Sequence, residues 1–246
     1  MAQIRAKLAN SAVTFGTWLA VASSQSAEVM GRVGFDWVIL DCQHGGLSEA
    51  QLLPMLQALD LAGTPALVRV PWLDPALIMR ALDLGGAGVV VPMVNSADDA
   101  ALAVRSVRYP PHGMRSFGPV RNFYSTDGTA EEPLCIAMVE TVEALADLDA
   151  IAATPGLDGI LVGPVDLALS MGLGLALQMP GEILDAIARV ADCCRSHGLL
   201  AASVALGPEN AREQIERGIT FLSSGADTLF MRRAAAEELR FLRGLA

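Results

Sequence analysis

Trp37-Val38-Ile39-Leu40 runs into Asp41-Cys42-Gln43-His44-Gly45-Gly46, and after a helical pattern over 48–62 the chain returns to an apolar run, Ala66-Leu67-Val68-Arg69-Val70. The first run is short and apolar, and a polar, glycine-rich break ends it, which reads as a strand and its turn. The helical pattern opens on Ser48, a helix-start residue. A strand, a helix and a second strand in that order predict parallel strands joined by a crossover helix.

The rhythm repeats outward from this unit. Apolar or β-branched runs predict further strands over 13–19, 88–92, 134–139, 159–162, 200–203 and 221–223, beside 37–40 and 66–70. Helical patterns fall between them over 75–84, 97–107, 141–153, 181–197 and 208–217, several opening on Ser, Asp or Pro. Eight strands alternating with helices predict an α/β protein of (β/α)8 (TIM) barrel type, and 246 residues match the ~250 of that architecture. No linker, charge block or low-complexity segment divides the chain, so residues 1–246 are expected to form a single barrel domain.

Hydrophobic residues make up 52% of the chain and mean hydropathy is +0.43. The longest apolar stretch, 84–94, carries three glycines and falls short of the roughly 18 residues that span a bilayer. Buried strands and an oligomer interface explain the apolar excess better. A net charge of −10 argues against nucleic acid and anionic membranes as partners. Cys42, Cys135, Cys193 and Cys194 show neither a disulfide framework nor a CxxC pair, which fits reduced thiols in the cytoplasm. Cys193, Cys194 and His197 imitate half of a zinc site, with no second half in view. Arg5 and Lys7 before an apolar stretch loosely imitate a signal peptide, but Thr14, Gly16 and Thr17 interrupt it and it serves as the first strand.

In a (β/α)8 barrel the chemistry sits where strands end and βα loops begin. Strand two ends in Asp41 and His44, strand three in Arg69 and strand five in Glu140-Thr141, and strand six leads to Gly163-Pro164-Val165-Asp166. Glu140 and Asp166 suit a hard cation such as Mg²⁺ or Mn²⁺, which takes oxygen ligands and keeps positions open for water and substrate. Either residue alone also reads as an ion-pair partner, and Glu140 as the opening of the next helix. Arg69 ends an apolar strand and must be paired or face a ligand, with Asp41 the structural alternative. His44, followed by two glycines, is the candidate acid–base. The long segment 108–133, rich in Pro and Gly, reads as a functional loop or as a contact with a neighbouring subunit.

One absence is decisive. Lys7 is the only lysine and precedes the first strand, so imine chemistry within the barrel is excluded, whether on substrate or on pyridoxal phosphate. Gly85-Gly86-Ala87-Gly88 precedes its strand and reads as a tight turn rather than a dinucleotide loop.

Phe35-Asp36-Trp37 through Asp41-x-x-His44, Val68-Arg69-Val70-Pro71, Val91-Pro92-Met93-Val94, Arg108-Tyr109-Pro110-Pro111-x-Gly113-x-Arg115, Val139-Glu140-Thr141 and Gly163-Pro164-x-Asp166-Leu167 before Ser170-Met171-Gly172 occur in order. Over roughly 11–233 the chain resembles the HpcH/HpaI aldolase family of metal-dependent pyruvate aldolases. The resemblance implies Glu140 and Asp166 as metal ligands for Mg²⁺, Mn²⁺ or Co²⁺. It implies Arg69 on the keto oxygen, His44 as base, Asp41 orienting its neighbours, and backbone at Val165 and Asp166 on the substrate carboxylate. Trp18 and Arg115 complete the expected substrate contacts. A homo-hexamer is implied as well, in which Asp83 reaches a neighbour's site. Cys42, Gln43 and Met138 depart from the commonest family residues and leave the acceptor substrate open.

The expected reaction is reversible aldol cleavage of 4-hydroxy-2-keto acids into pyruvate, or hydroxypyruvate, and an aldehyde. The rivals are a citramalyl- or malyl-coenzyme A lyase, for which Arg105, Arg108, Arg115 and Arg121 are the available cations, and a non-catalytic barrel that binds metal or keto acid.

Overall fold

Eight parallel strands close on one another in sequence order: β1 (Thr14–Leu19), β2 (Trp37–Asp41), β3 (Ala66–Arg69), β4 (Gly88–Val91), β5 (Leu134–Val139), β6 (Gly159–Val162), β7 (Leu200–Ala205) and β8 (Phe221–Ala226). The structure is a computed structural model that describes residues 4–9, 11–118, 121, 132–175 and 179–245. Helices α1 (Ile4–Ala9), α2 (Ser24–Gly31), α3 (Glu49–Ala62), α4 (Pro75–Asp83), α5 (Ala97–Val107), α6 (Val142–Ala146), α7 (Leu148–Ala152), α8 (Pro164–Ser170), α9 (Gly181–His197), α10 (Pro208–Glu216) and α11 (Asp227–Arg243) accompany the barrel. No helix among the described residues is long and apolar enough to cross a membrane.

Successive strand residues point to opposite faces, so each strand feeds two cores. Trp37 and Ile39 of β2, Leu67 of β3, Ile136 and Met138 of β5 and Phe221 of β8 pack inside the barrel. Val38, Leu40, Val68, Ala137 and Val139 face outward into the layer shared with the helices. Inside, Trp37 and Phe221 stack with ring centroids 3.7 Å apart. This leaves no room at Gly16, where a Cβ would meet the Trp37 ring at 2.2 Å. Ile4 of α1 is buried in the same interior cluster and helps close the N-terminal end of the barrel.

The helices begin where side chains satisfy their first amides. Asp74, Ser96 and Thr141 accept hydrogen bonds from the amides of Ala76, Asp99 and Ala144. The helix expected over 141–153 is two helices, α6 and α7, meeting at Asp147, whose carboxylate instead accepts the Ala97 amide at 2.9 Å. The long segment 108–133 follows α5 and leads into β5, so it enters from the N-terminal end of the barrel. Most of it beyond Gly118 lies outside the described residues.

Candidate active site

Strand parity delivers the site. Counting on from Trp37 and Ile39, Asp41 points inward at the C-terminal end of β2, and by the same count Arg69 follows Leu67 and Glu140 follows Met138. Asp41 and Arg69 are also register partners across β2 and β3. The Arg69 Nε donates to Asp41 Oδ1 at 2.9 Å and its Nη2 to Oδ2 at 2.7 Å, a two-pronged pair with both residues buried. The Gln43 and His44 amides each donate to Asp41 Oδ1 at 3.1 Å. Burial alone would raise the Asp41 carboxyl. The hydrogen bond and charge of Arg69, aided by those amides, hold it below the ordinary carboxylate value instead.

Arg69 lies over the Trp18 ring, 4.6 Å from its centroid, and Trp18 Nε1 donates to Ser223 Oγ at 2.9 Å. The guanidinium is thus fixed by a carboxylate and an aromatic face, while Nη1 takes no part in the Asp41 pair.

Glu140 is buried and accepts the Met93 amide at 2.8 Å through Oε1. Met93 holds φ at +55°, a left-handed conformation uncommon outside glycine, which turns its amide to the carboxylate. Thr141 is the cap of α6, so Glu140 is not needed to open that helix. Burial pushes the Glu140 carboxyl up to about 7, the Asp166 charge adds to the rise, and the Met93 amide and Arg69 oppose it. Gly163, at the end of β6, makes room for Glu140, because a Cβ there would stand 2.5 Å from Oε2.

A cavity of about 530 Å³ opens at this end of the barrel. Trp18, Asp41, His44, Arg69, Val165 and Asp166 all line it, so six of the residues singled out in the sequence share one surface. Glu140 is not among the lining residues, but its carboxylate lies against Gly163, which is. Asp83 and Arg115 are not brought to this cavity. They pair with each other at 2.7 Å, and Arg115 lies 4.7 Å from the Tyr109 ring centroid. Arg115, expected as a substrate contact, is therefore not among the residues that line the cavity of this chain. The cause is topological, since Arg115 follows α5 and Asp83 ends α4, both on connections that lead into the N-terminal ends of strands.

Four contributors were not apparent in the sequence. Asp227, wholly buried, accepts the amides of Ala20 at 2.9 Å, Val21 at 3.1 Å and Thr228 at 2.8 Å and the Ser26 hydroxyl at 3.3 Å, fixing the β1 loop beside the cavity. Arg233 of α11 lines the cavity. Met93 and Gly163 act through backbone shape. The Asp227 carboxylate at the end of β8 was the one readable signal, by the strand-end rule that found Asp41.

A (β/α)8 barrel with an acid–base group, an anchored guanidinium and two carboxylates at the C-terminal ends of its strands is built for chemistry on a small polar substrate. The family model of HpcH/HpaI aldolase/citrate lyase matches residues 14–234, and the chain belongs to that family. It is therefore an enzyme, a carbon–carbon lyase. The chain is 38% identical over 239 residues to the 2-dehydro-3,6-dideoxy-6-sulfogluconate aldolase of Pseudomonas putida, covering 93% of this chain and 92% of that one. It is 36% identical over 247 residues to the 5-keto-4-deoxy-D-glucarate aldolase of Klebsiella pneumoniae, covering 96% and 94%. Among solved structures, an HpcH/HpaI aldolase/citrate lyase family protein from Burkholderia cenocepacia aligns with a TM-score of 0.86 at 31% identity, covering 98% of each chain. The HpcH/HpaI aldolase of Desulfitobacterium hafniense aligns at 0.90 with 26% identity, covering 99% and 97%. The first two of these relatives are named as aldolases of keto-sugar acids.

Proposed function

We propose that the protein is a divalent-metal-dependent aldolase that reversibly joins pyruvate, or hydroxypyruvate, to an aldehyde and so acts on 4-hydroxy-2-keto acids. One observation carries the reading. The buried Glu140, beside Gly163 at the cavity wall, and the cavity-lining Asp166 are close enough that, after burial itself, the Asp166 charge further raises the Glu140 carboxyl, while Arg69 is committed to Asp41. Two carboxylates short of positive charge, with all-oxygen donors, fit a hard ion such as Mg²⁺ or Mn²⁺, and the borderline Co²⁺ less well. Glu140 and Asp166 would hold it, and when bound it supplies Lewis acidity to the keto oxygen.

The chain's own groups do the rest. Arg69, fixed by Asp41 and Trp18, offers a hydrogen-bond donor to the keto oxygen as negative charge builds there. The amides of Val165 and Asp166, in the first turn of α8 where no intrahelical acceptor exists, hold the substrate carboxylate. In cleavage, His44 takes the hydroxyl proton from C4, directly or through water. The C3–C4 bond breaks, its electrons pass into the pyruvate enolate, and the aldehyde leaves. Protonation at C3 completes pyruvate. Arg233 and the apolar Val204, Leu206, Leu229 and Phe230 line the same cavity and favour an aldehyde with an anionic end.

A coenzyme A lyase finds little support. Of the four cations available to such a carrier, Arg108, Arg115 and Arg121 are paired with Asp158, Asp83 and Asp60, and Arg105 is at the surface beside Met114. All four cysteines are free, in keeping with a reducing cytoplasm. Along α11 only Asp227 is buried, and Leu229, Met231, Leu239, Phe241 and Leu242 are exposed. So much apolar surface left uncovered on one helix supports a homo-oligomer, and a hexamer would allow Asp83 to reach a neighbour's cavity. Crystals soaked with Mn²⁺ and pyruvate should show an anomalous peak between Glu140 and Asp166. If the two carboxylates are instead turned away from any ion, the metal assignment fails.

A further inference from the structure

Asp149 of α7 and Cys193 and His197 of α9 bring a carboxylate oxygen, a thiol sulfur and an imidazole nitrogen within 4.8 Å of one another. We propose that these three side chains form a second metal site, on the outside of the barrel, that takes one borderline-soft divalent cation of the Zn²⁺ type. Cys193 and His197 are four residues apart on one helix, the spacing that sets two ligands on the same face. The Cys193 sulfur is directed to the third donor, 3.4 Å from Asp149 Oδ1. Cys193 is 8% exposed, so the sulfur forms the floor, while Asp149 and His197 are exposed. Cys194, next to it, is fully buried in the outer core, so only one of the adjacent cysteines faces this cleft.

Ligands of a tetrahedral zinc lie roughly 3.3–3.8 Å apart, by the usual bond lengths of 2.0–2.3 Å. The donors must close by about 1 Å, which rotation of the exposed Asp149 and His197 side chains supplies. Three protein ligands leave the fourth position to water. Ligation takes the thiolate, so the Cys193 proton is released to solvent as the ion binds. This donor set differs in kind from the oxygen pair at Glu140 and Asp166. Thiolate and imidazole select Zn²⁺ or Co²⁺, and carboxylates with water select Mg²⁺ or Mn²⁺. A single chain would therefore sort cations between its inner and outer sites, and the outer ion would clamp α7 to α9.

The test is Co²⁺ titration of the full chain in excess Mg²⁺, read by the near-ultraviolet absorption of a cobalt–thiolate bond. One equivalent of Co²⁺ should develop that band, and Zn²⁺ should bleach it. Cys193→Ser should abolish it, Cys42→Ser should leave it, and His197→Ala, at an exposed position that the fold tolerates, should weaken Co²⁺ binding about tenfold or more. Aldol cleavage in excess Mg²⁺ should be unchanged in the Cys193 and His197 variants. Absence of the band in the wild-type chain, its survival in Cys193→Ser, or unaltered Co²⁺ affinity in His197→Ala overturns the proposal.

Discussion

At Gly163 a single methyl group would stand 2.5 Å from Glu140 Oε2 and 2.8 Å from Met138 Cε. Gly163→Ala is expected to fold, to displace the Glu140 carboxylate, and to cut kcat by about 100-fold, a loss comparable to removing one group aimed at the developing charge. Steady-state kinetics with circular dichroism checks both parts. Arg69→Ala should cost about 10²–10³ in rate by the same comparison. Asp41→Ala leaves that guanidinium buried without its counter-charge and should cost about 3 kcal/mol in urea unfolding. Glu140 adds a pH dependence. Its carboxyl is raised from 4.5 to about 7, so the metal-free fold binds a proton that the unfolded chain has released. Stability from this group is complete below 4.5 and falls as pH rises through about 7. Divalent-ion affinity should rise over the same window, because the ion competes with that proton, and Mn²⁺ titrations on either side of pH 7 would show it. Asp41, His44, Arg69, Glu140 and Asp166 were legible because a polar residue ending an apolar strand stands out in one dimension. Gly163 and Met93 were not, since each matters through an approach between segments far apart in sequence.

Elements place these residues, and their boundaries were legible where a cap or an apolar run marks them. Helices α5 and α9 and strands β5 and β6 fall where the periodicity puts them. Helices α2, α8 and α11 gave no such signal. Helix α8 is only about two turns long, beginning at Pro164, and α11 buries only Asp227 of its own residues, so it lacks the apolar stripe that announces a core helix. Asp227 nonetheless holds the β1 loop through the Ala20 and Val21 amides. Asp227→Ala leaves those donors without their partner and should destabilise the fold by about 1–3 kcal/mol. It should also raise KM, because Ala20 lines the cavity. Chemical denaturation and substrate titration would separate the two effects. The segment 108–133, read as a functional loop or a contact with a neighbouring subunit, lies beyond Gly118 mostly outside the described residues. Its described start follows α5, and there Arg115 pairs with Asp83 at the end of α4.

For the molecule as a whole, the closed barrel was the most legible feature, because eight repeats of one pattern average out local ambiguity. An oligomer would leave a weaker trace, an excess of exposed apolar residues such as those along α11. Sedimentation should show an assembly larger than a monomer, and substituting Phe241 and Leu242 with charged residues should shift it toward monomer. The lone lysine lies outside the barrel strands, so borohydride with pyruvate should leave activity intact; inactivation would reveal an imine and exclude a purely metal-assisted route. The central claim is that Glu140 and Asp166 hold the ion on which aldol cleavage depends. Its most direct test is pyruvate release from a 4-hydroxy-2-keto acid by chelated protein, before and after Mg²⁺ or Mn²⁺ is restored, for the wild type and Glu140→Gln. Release should vanish on chelation, return with metal in the wild type, and stay absent in the variant. Undiminished release after chelation, or full recovery by Glu140→Gln, contradicts the claim.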